Sequence, residues 1–246
     1  VLGWLLLRGM HEKAMAVAVR SCREAGVQLL DATVALQQLR LAREDDLVLL
    51  QEVHGPREGL AGAQAEYLAD TLWRDHAWGR NALVRGGAHG NAVLSRWPIL
   101  RHVNHDITQP GDEPRGLLHC VLGLPGRELH AICVHLGLRE SHRQRQLGRL
   151  CAIARNAVPA EAPLVVAGDF NDWRSRADPL LERSGLREVH RAARGTHARS
   201  FPASCPFLRL DRIYVARVSA HQPLPLPRRP WARLSDHAPL AAEVLL

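Results

Sequence analysis

Short apolar runs, bounded by polar or turn residues, recur along the chain from residue 47 onward. The first of them, residues 47–50, reads Leu-Val-Leu-Leu and follows two aspartates. Runs of this length are typical of strands that are buried on both faces. The same pattern predicts further strands at residues 91–95, 117–122, 129–136, 164–167, 212–215 and 238–244.

Two stretches have a helical pattern instead. Residues 12–43 are rich in Ala, Leu, Gln, Glu and Arg, which favour helices, and we expect Gly26 to divide them into two helical pieces. Residues 141–158 place apolar side chains three and four positions apart, with arginines on the other face, which predicts an amphipathic helix.

The order of these elements indicates a mixed α/β protein, because strands alternate with helices in some parts and follow one another directly in others. Residues 221–230 contain four prolines and predict an irregular loop, not a strand. The chain shows neither an internal repeat nor a stretch with the composition of a linker. We therefore expect a single domain over residues 1–246.

Composition narrows the class of protein. Hydrophobic residues make up 46% of the 246 positions and charged residues 23%, which excludes a disordered, collagen-like or polytopic membrane protein. The net charge of +7 suggests an anionic partner. All but one of the 32 basic residues are arginines, Lys13 being the exception. Arginine binds phosphate bidentately, but its spread over the whole chain is equally what a coding bias would produce.

The cysteines and the N-terminal residues bear on location. Five cysteines at wide spacings, with no Cys-X-X-Cys, indicate neither a disulfide framework nor a zinc ribbon, so we expect a cytoplasmic protein. The apolar run at residues 4–7 is much shorter than the roughly 20 residues of a membrane span. It also lacks the basic segment and cleavage site of a signal peptide, and we expect no membrane insertion.

Polar side chains of catalytic type stand at the ends of several predicted strands. Four of them are carboxylates: Glu52, Asp169, Asp211 and Asp236. Carboxylates that converge at one edge of a sheet repel one another unless a divalent cation lies between them, and their oxygens suit Mg²⁺ or Mn²⁺. His135 and His237 add groups that exchange protons near neutral pH.

Each motif by itself also has a structural interpretation. The Gly-Asp-Phe-Asn-Asp stretch at 168–172 is consistent with an Asx-type turn, and Ser-Asp-His at 235–237 with a helix or turn cap. A glutamate after an apolar run is usually a surface residue, and a lone histidine such as His135 is most often a hydrogen-bonded core residue. The order and spacing of all these motifs together are more specific than any one of them.

Taken together, the motifs resemble the endonuclease/exonuclease/phosphatase family, which includes DNase I-like nucleases, abasic-site endonucleases, sphingomyelinases and inositol phosphatases. The resemblance covers residues 47–246 and rests on Gln51-Glu52, Gly-Asn-Ala-Val-Leu-Ser at 90–95, Arg115-Gly116, Val134-His135-Leu136, Gly168-Asp169-Phe170-Asn171, Leu-Asp-Arg-Ile at 210–213 and Ser235-Asp236-His237. It implies an α/β (α+β) four-layer sandwich, in which two mostly antiparallel mixed sheets pack face to face with helices outside. The catalytic site would lie at one end of this sandwich.

The resemblance also implies a reaction, namely metal-assisted hydrolysis of a phosphoester by in-line attack of water, with Mg²⁺ or Mn²⁺ as cofactor. Glu52 matches the metal-binding glutamate, and Asp236 matches a terminal aspartate that we take as a second metal ligand. Asp169 and Asn171 match the pair that orients the attacking water and the scissile phosphate.

Two histidines match groups that act on the phosphate and on protons. His135 matches a histidine that contacts the phosphate and acts as an acid. His237 matches the terminal histidine, and Asp211 the aspartate that hydrogen-bonds it and fixes its tautomer. Either Asp169 or His237 would take the proton from water.

Four further residues are candidates for contacts with the substrate phosphate: Asn91, Arg115, Arg139 and Arg143. A surface salt bridge is the alternative for Arg115, and a solvated helix face is the alternative for Arg139 and Arg143. Trp173 is expected either to stack on a base or lipid headgroup or to serve in packing.

The N-terminal residues depart from the family pattern. The family normally begins with an apolar strand whose asparagine helps to bind metal or phosphate, but the first 50 residues contain no asparagine. When residues 1–9 are laid over that strand, Leu5 takes the place of the asparagine and Leu7 that of a histidine, and leucine cannot coordinate a metal.

Three explanations compete for this departure: a reading-frame shift upstream of residue 47, a true variant with another ligand, and a member that has lost activity. A missing central strand would also leave two sheet edges unpaired. Residues 1–46 are therefore the atypical part of the predicted domain.

We therefore predict a monomeric, metal-dependent phosphodiesterase. A nuclease is the leading hypothesis, because the positive charge favours a polyanion such as a nucleic acid. A lipid or small-molecule phosphoesterase is the alternative among enzymes. The alternative outside enzymes is a catalytically impaired protein that binds phosphate or a partner.

Overall fold

The computed structural model describes residues 36–41, 45–55, 75–84, 87–226 and 235–246. Within these residues, two six-stranded sheets are present. Strands are numbered along the chain, and the first sheet contains β1 (Leu36–Leu41), β2 (Asp45–His54), β3 (Asp75–Val84), β4 (Gly87–Ser95), β11 (Ala220–Leu224) and β12 (Leu240–Leu245). Their order across the sheet is β11-β12-β1-β2-β4-β3.

The second sheet contains β5 (Ile99–Asp106), β6 (Gly116–Leu124), β7 (Arg127–His135), β8 (Leu164–Asp169), β9 (Arg187–Glu188) and β10 (Asp211–Ala216). Their order is β5-β6-β7-β8-β10-β9. Most neighbouring strands are antiparallel, and the parallel pairs among the described strands are β1 with β12 and β7 with β8. Both sheets are therefore mixed but mostly antiparallel, as expected.

The helices of the described residues are α1 (Glu140–Asn156), α2 (Asp178–Arg183) and α3 (Val189–Arg194). Helix α1 connects the parallel strands β7 and β8, which need a crossover of this kind because a tight turn cannot join them. In the described part of the chain, every helix is too short or too polar to cross a lipid bilayer.

The main core lies between the two sheets. Because successive side chains of a strand point to opposite faces, Leu129, Ala131 and Cys133 of β7 face the first sheet, whereas Ile132 and Val134 face outward. The inward set packs against residues such as Leu49 of β2. The alternation places the second sheet between two apolar layers. Full burial of an aliphatic side chain stabilises the folded state by about 1.5–3 kcal/mol, so both layers stabilise the sheet.

The outer layer on the second sheet is formed by α1. Its side chains Leu147, Leu150 and Cys151 are buried against the outward residues of β7 and β8. The helix predicted at residues 141–158 is thereby confirmed, with its observed bounds one or two residues earlier.

The predicted helical stretch at residues 12–43 is wrong for its last part, because residues 36–41 form strand β1; the rest lies outside the described residues. Strand β1 lies between β2, to which it is antiparallel, and β12, to which it is parallel. Both of these strands would otherwise expose unpaired backbone groups at an edge. Tertiary pairing therefore overrides the helical propensity of Leu-Gln-Gln-Leu-Arg-Leu, and the two edges are filled.

The predicted loop at residues 221–230 is also wrong in part. Residues 220–224 form β11, which pairs with β12 and carries Pro223. Strand β11 is at the edge of the sheet, where a proline without an N–H is tolerated because one side of the strand makes no ladder.

The remaining strand predictions are confirmed, with bounds that shift by a few residues: 47–50 lies in β2, 91–95 in β4, 117–122 in β6, 129–136 in β7, 164–167 in β8, 212–215 in β10 and 238–244 in β12. Strands β3 and β5 and the two-residue strand β9 were not predicted. These strands carry polar residues such as Arg80 and His102 on exposed positions, and they have no continuous apolar run.

Candidate active site

Three strands of the second sheet bring their polar ends to one edge. Strands β7 and β8 are parallel and in register, so His135 lies beside Asp169. Strand β10 is antiparallel to β8 and begins where β8 ends, so Asp211 lies on the other side of Asp169. The register thus places three residues from distant parts of the sequence side by side.

The first sheet contributes Glu52 through an irregularity in β2. The pairing of β2 with β4 shifts between Leu50 and Val53, which is the signature of a β-bulge. Within the bulge Glu52 has a φ of 58°, a left-handed conformation that is uncommon for a residue other than glycine, asparagine or aspartate. The Oε1 atom of Glu52 lies 3.9 Å from Nε2 of His135, so the bulge directs the glutamate toward the edge of the second sheet.

Asp169 and Asn171 form a rigid unit. Asp169 accepts hydrogen bonds from the backbone N–H of Asn171 at 2.8 Å and from its side-chain amide at 3.0 Å. The same amide donates to the carbonyl of Leu136 at 2.9 Å, which ties this turn to the end of β7. Asn171 has a φ of 50°, which asparagine tolerates better than most residues.

Gly168 allows this turn to lie so close to β7. Its φ is +150°, and a Cβ at this position would lie 1.9 Å from the carbonyl oxygen of Val134. Only glycine fits so close an approach of two backbones. The glycine of the Gly-Asp-Phe-Asn motif is therefore required by the packing of β8 on β7.

Asp211 and His237 form a hydrogen-bonded pair. Nδ1 of His237 lies 2.8 Å from a carboxylate oxygen of Asp211, as the resemblance implied. The backbone N–H of Asp211 is held by the hydroxyl of Ser200 at 3.1 Å, and the ring of Phe201 packs against the histidine at a centroid distance of 4.9 Å. The orientation of the His237 ring is thus set by its surroundings.

The carboxylates give His237 a positive charge. Burial by itself lowers its pKa, but the charge and hydrogen bond of Asp211, with further contributions from Asp169 and Asp236, outweigh burial and raise the pKa to about 10. Burial also raises the pKa of Asp169, to about 7, and the charge of His237 opposes this rise. Asp169 therefore holds a carboxyl group that exchanges a proton near neutral pH.

His135 is buried at the centre of this group of side chains. Its Nε2 lies 3.6 Å from Asp169 and 3.9 Å from Glu52. Burial first, and then the charges of Arg115, His237 and His89, hold its pKa well below the usual range. The imidazole is therefore neutral, with one nitrogen able to donate and the other to accept.

The donor set fits a divalent cation. Burial raises the pKa of Glu52; the positive charges of Arg115 and His89 oppose this rise, and the negative charges of Glu113 and Asp236 add to it. Asp236 has a buried carboxylate oxygen without a hydrogen-bond partner among the described residues. Carboxylates that repel one another and lack donors are the oxygen ligands that Mg²⁺ and Mn²⁺ prefer.

A second group of potential ligand atoms lies beside these carboxylates. One ligand atom each of Asp169, Asp211 and His237 lies within 4.8 Å of the other two. Asp211 and His237 already bond to each other. The N-terminal residues Leu5 and Leu7, at which the family pattern places polar groups, lie outside the described residues.

The four candidates for phosphate contacts have different surroundings. Asn91 is fully buried and donates through its amide to the carbonyls of Gly116 and Cys133, so it supports the floor of the site. Arg115 is also buried, and one guanidinium nitrogen lies 3.0 Å from Glu113. The positive charge of Arg115 lowers the pKa values of Glu52, His135 and Asp169, so Arg115 lies close to these three side chains.

Arg139 and Arg143 lie on the segment that follows His135. The side chain of Arg139 is 64% exposed, with its Nε 3.4 Å from Asp112. Arg143 is buried and donates to the carbonyls of Gly137 and Leu138 and to Glu140.

The guanidinium of Arg143 also stacks on Trp173, 4.8 Å from the ring centroid, while Trp173 is 46% exposed. Arg143 thus holds the loop after β7 by hydrogen bonds and packs on one face of the Trp173 ring. Trp173 keeps a large part of its surface open next to the Asp169–Asn171 turn.

Two residues of this region, His89 and Glu113, are not among the predicted site residues. His89 immediately precedes the Gly-Asn motif of β4, and Glu113 stands two positions before Arg115. Their side chains lie 3.4 Å apart. The signal in the sequence is that each residue lies next to a recognised motif. This does not reveal that His89 and Glu113, 24 positions apart in the chain, are in contact.

Comparison with known proteins gives the family and leaves the substrate open. The endonuclease/exonuclease/phosphatase family profile matches residues 19–237. The uncharacterised protein YbhP of Escherichia coli K12 is 50% identical over 212 residues, which cover 82% of this chain and 83% of YbhP.

Solved structures with the same fold are distant in sequence. A family protein of Leptotrichia buccalis is 15% identical with a TM-score of 0.56, and the match covers 92% of this chain and 90% of that protein. A truncated TDP2 of Caenorhabditis elegans is 19% identical with a TM-score of 0.57 over 80% and 82% of the two chains. A mannosyl-6-phosphatase of Bacteroides thetaiotaomicron is 16% identical with a TM-score of 0.56 over 74% and 81%. These likenesses support the two-sheet fold.

Proposed function

Because the chain belongs to the endonuclease/exonuclease/phosphatase family, we propose that it is a metal-dependent phosphodiesterase, and specifically a nuclease. The observation that carries this proposal is the convergence of Asp169, Asp211 and His237, which come from three separate motifs, within 4.8 Å. The pKa values of two of them, Asp169 and His237, are raised, and such perturbed titratable groups are characteristic of acid–base chemistry.

In the proposed reaction, a water molecule attacks phosphorus in line with the leaving oxygen. Asp169 takes the proton from this water, because its pKa of about 7 makes it a stronger base than an ordinary carboxylate. Asn171 holds the carboxylate in place through two hydrogen bonds. One P–O bond forms and one breaks; the leaving oxygen takes a proton from solvent, and Asp169 returns to solvent the proton that it accepted.

Groups that are already in place stabilise the negative charge that develops on the phosphoryl oxygens. His237 carries a positive charge that Asp211 maintains, and the neutral His135 donates a hydrogen bond. Glu52 and Asp236 would hold Mg²⁺ or Mn²⁺. When bound, such an ion supplies further stabilisation of negative charge on phosphoryl oxygens.

The choice of a nuclease rests on charge. The net charge of +7 and exposed arginines such as Arg139, beside the loop after β7, favour a polyanionic substrate. Structures of the same fold include a TDP2 of Danio rerio that was solved with a single-strand DNA product and the mannosyl-6-phosphatase, so the fold leaves the substrate open. A monomeric state and a cytoplasmic location remain predictions from the sequence.

The test is hydrolysis of plasmid DNA and of bis-p-nitrophenyl phosphate with Mg²⁺ or Mn²⁺. We expect Asp169→Asn and His237→Gln to lose about 100-fold or more in kcat, because each removes a group that acts in the transition state. His119→Gln is the matched control, because His119 is a buried histidine that points to the outer face of the second sheet. It should keep the wild-type kcat.

Other outcomes select the alternatives. Cleavage of the small diester without cleavage of DNA would support a lipid or small-molecule phosphoesterase. Absence of cleavage with either metal would contradict the proposal and favour the impaired member that Leu5 suggested.

A further inference from the structure

The loop between β5 and β6 brings an acidic side chain into the candidate site. The two carboxylate oxygens of Glu113 are divided between two partners: one lies 3.0 Å from Nη2 of Arg115 and the other 3.4 Å from Nε2 of His89. The side chain of Glu113 is 50% exposed, whereas that of Arg115 is 6% exposed. The buried guanidinium of Arg115 is thus paired with the half-exposed carboxylate of Glu113.

Arg115 has more hydrogen-bonding capacity than Glu113 uses. Its Nε and Nη1 atoms are buried and have no hydrogen-bond partner among the described residues. An unmet buried donor is destabilising, most of all on a charged group, and a guanidinium fork matches two oxygens of a phosphate. The free donors of Arg115 therefore mark an anion position that Glu113 fills incompletely.

The backbone of this loop is fixed, so a change at Glu113 is a change of its side chain alone. Asp112 next to it lies 2.5 Å from Nδ1 of His142 on α1. At the base of the loop, the N–H of Ile107 donates to the carbonyl of Arg115 at 3.0 Å. Rotation of one exposed glutamate side chain can vacate the position without moving the loop.

Glu113 carries a negative charge. The hydrogen bond from His89, and to a smaller degree the charge of Arg115, lower its pKa although partial burial opposes this. The charge also raises the pKa of Glu52, so Glu113 lies near the expected metal ligand.

We propose that Glu113 is an internal counter-anion which occupies an oxyanion subsite formed by Arg115 and His89, and that a phosphate group of substrate or product displaces it. The proposal rests on the proposed function for its ligand class, phosphate. Glu113 is therefore a specificity residue: it keeps Arg115 paired in the free protein and sets the affinity that a phosphate needs in order to enter.

A purely supporting role for Glu113 makes the opposite prediction. If the carboxylate only held Arg115 in place, then removal of its charge would disorder the arginine and weaken phosphate binding. If it competes with phosphate, removal of its charge strengthens binding. The sign of one measurement distinguishes the two roles.

The experiment is calorimetric titration of inorganic phosphate into the full chain in the presence of EDTA, which prevents a metal from contributing. Glu113→Gln keeps the size and one acceptor of the side chain while removing its charge. We expect it to bind phosphate about tenfold more tightly than wild type, or about 1.4 kcal/mol.

The matched control is Glu128→Gln. Glu128 also pairs with an arginine, Arg101 at 2.9 Å, but it lies at the start of β7, the opposite end of the strand from His135. It changes the net charge equally and should leave phosphate affinity unchanged. Equal or weaker binding by Glu113→Gln would overturn the proposal, as would an equal gain in Glu128→Gln.

A double-mutant cycle tests whether the gain passes through the arginine. In an Arg115→Gln background, the Glu113→Gln substitution should give no increase in phosphate affinity. A tenfold gain in that background would overturn the proposal, because the effect would then be independent of the subsite.

Failure of this inference is distinguishable from failure of the proposed function, since the titration needs neither metal nor turnover. If the protein cleaves no phosphodiester but Glu113→Gln binds phosphate more tightly, the subsite stands and the hydrolase proposal falls. If the protein cleaves but the affinity does not rise, the reverse holds.

Discussion

Two hydrogen-bonded pairs that contain a histidine, one at the candidate site and one on the outer face of the second sheet, have opposite electrostatic character. At the candidate site, His237 bonds to Asp211 at 2.8 Å, and the surrounding carboxylates raise its pKa to about 10 against the effect of burial. On the outer face, His119 lies 2.9 Å from Nδ1 of His130. There, burial first and then the charges of His130, His105 and Arg101 lower the pKa of His119 to about 4.

The difference shows that the neighbour, more than burial, decides the charge of a buried histidine. Both rings are largely withdrawn from water, which disfavours the charged form in each case. Asp211 offers a negative charge that compensates for this loss, whereas His130 can only share a neutral hydrogen bond. The pair at the candidate site therefore holds a positive charge, whereas the pair on the outer face stays neutral.

The largest effect on this comparison is expected from Asp211→Asn. The amide removes the negative charge that holds the proton on His237, so the pKa of His237 should fall from about 10 toward the usual range. We expect kcat to fall by about 100-fold or more, because the histidine loses its positive charge and the carboxylate that orients it. Ring-proton NMR titration and steady-state kinetics measure the two effects.

The control is Asp178→Asn. Asp178 is another buried aspartate that contacts a histidine, His197 at 3.0 Å, and it accepts a hydrogen bond from Tyr214, but it lies outside the site. We expect this variant to lose stability and keep kcat at temperatures where it is folded. An unchanged titration of His237 in Asp211→Asn would contradict the electrostatic account.

A smaller effect is expected on the free energy of unfolding when the pH is lowered, through the His119–His130 pair. Between pH 6.5 and about 4, His119 is protonated in the unfolded chain but neutral in the folded one, so the unfolded state binds more protons. The free energy of unfolding therefore falls as pH decreases through this window, by up to about 1.4 kcal/mol per pH unit. Above pH 6.5 this group contributes no pH dependence.

Substitution His119→Gln should remove that slope. We expect the variant to be about 1 kcal/mol less stable than wild type at pH 8, where it loses a buried hydrogen bond, and to lose less stability than wild type between pH 6.5 and 4. Urea denaturation at a series of pH values measures both. An acid slope equal to that of wild type would mean that other groups produce it.

The smallest effect is expected from Glu128→Gln. Glu128 and Arg101 form two hydrogen bonds on the surface, with side chains 39% and 57% exposed. Exposed ion pairs contribute little because water and salt screen them. We expect a thermal midpoint within experimental error of wild type, and a clear decrease would show that exposure alone does not decide the strength of this pair.

The sequence predicted the elements whose signal is local. Strands β7 and β8 were predicted because a continuous apolar run has few other ways to be buried, and α1 follows from its 3.6-residue pattern. Strands β3 and β5 were missed because their exposed positions carry polar residues. Strand β1 was assigned to a helix because propensity favours helix, whereas the gap between β2 and β12 selects a strand.

The sequence by itself determined the family, the two-sheet fold and the order of the candidate catalytic residues, because motif order and spacing are properties of the chain. Tertiary structure alone decided the geometry of the site: the bulge that turns Glu52 inward, the register that aligns His135, Asp169 and Asp211, and the meeting of Glu113 with Arg115 and His89. It also decided which histidines carry charge. The physical reason is that pKa values and unmet hydrogen bonds depend on neighbours in space, and these neighbours lie tens of residues apart in the chain.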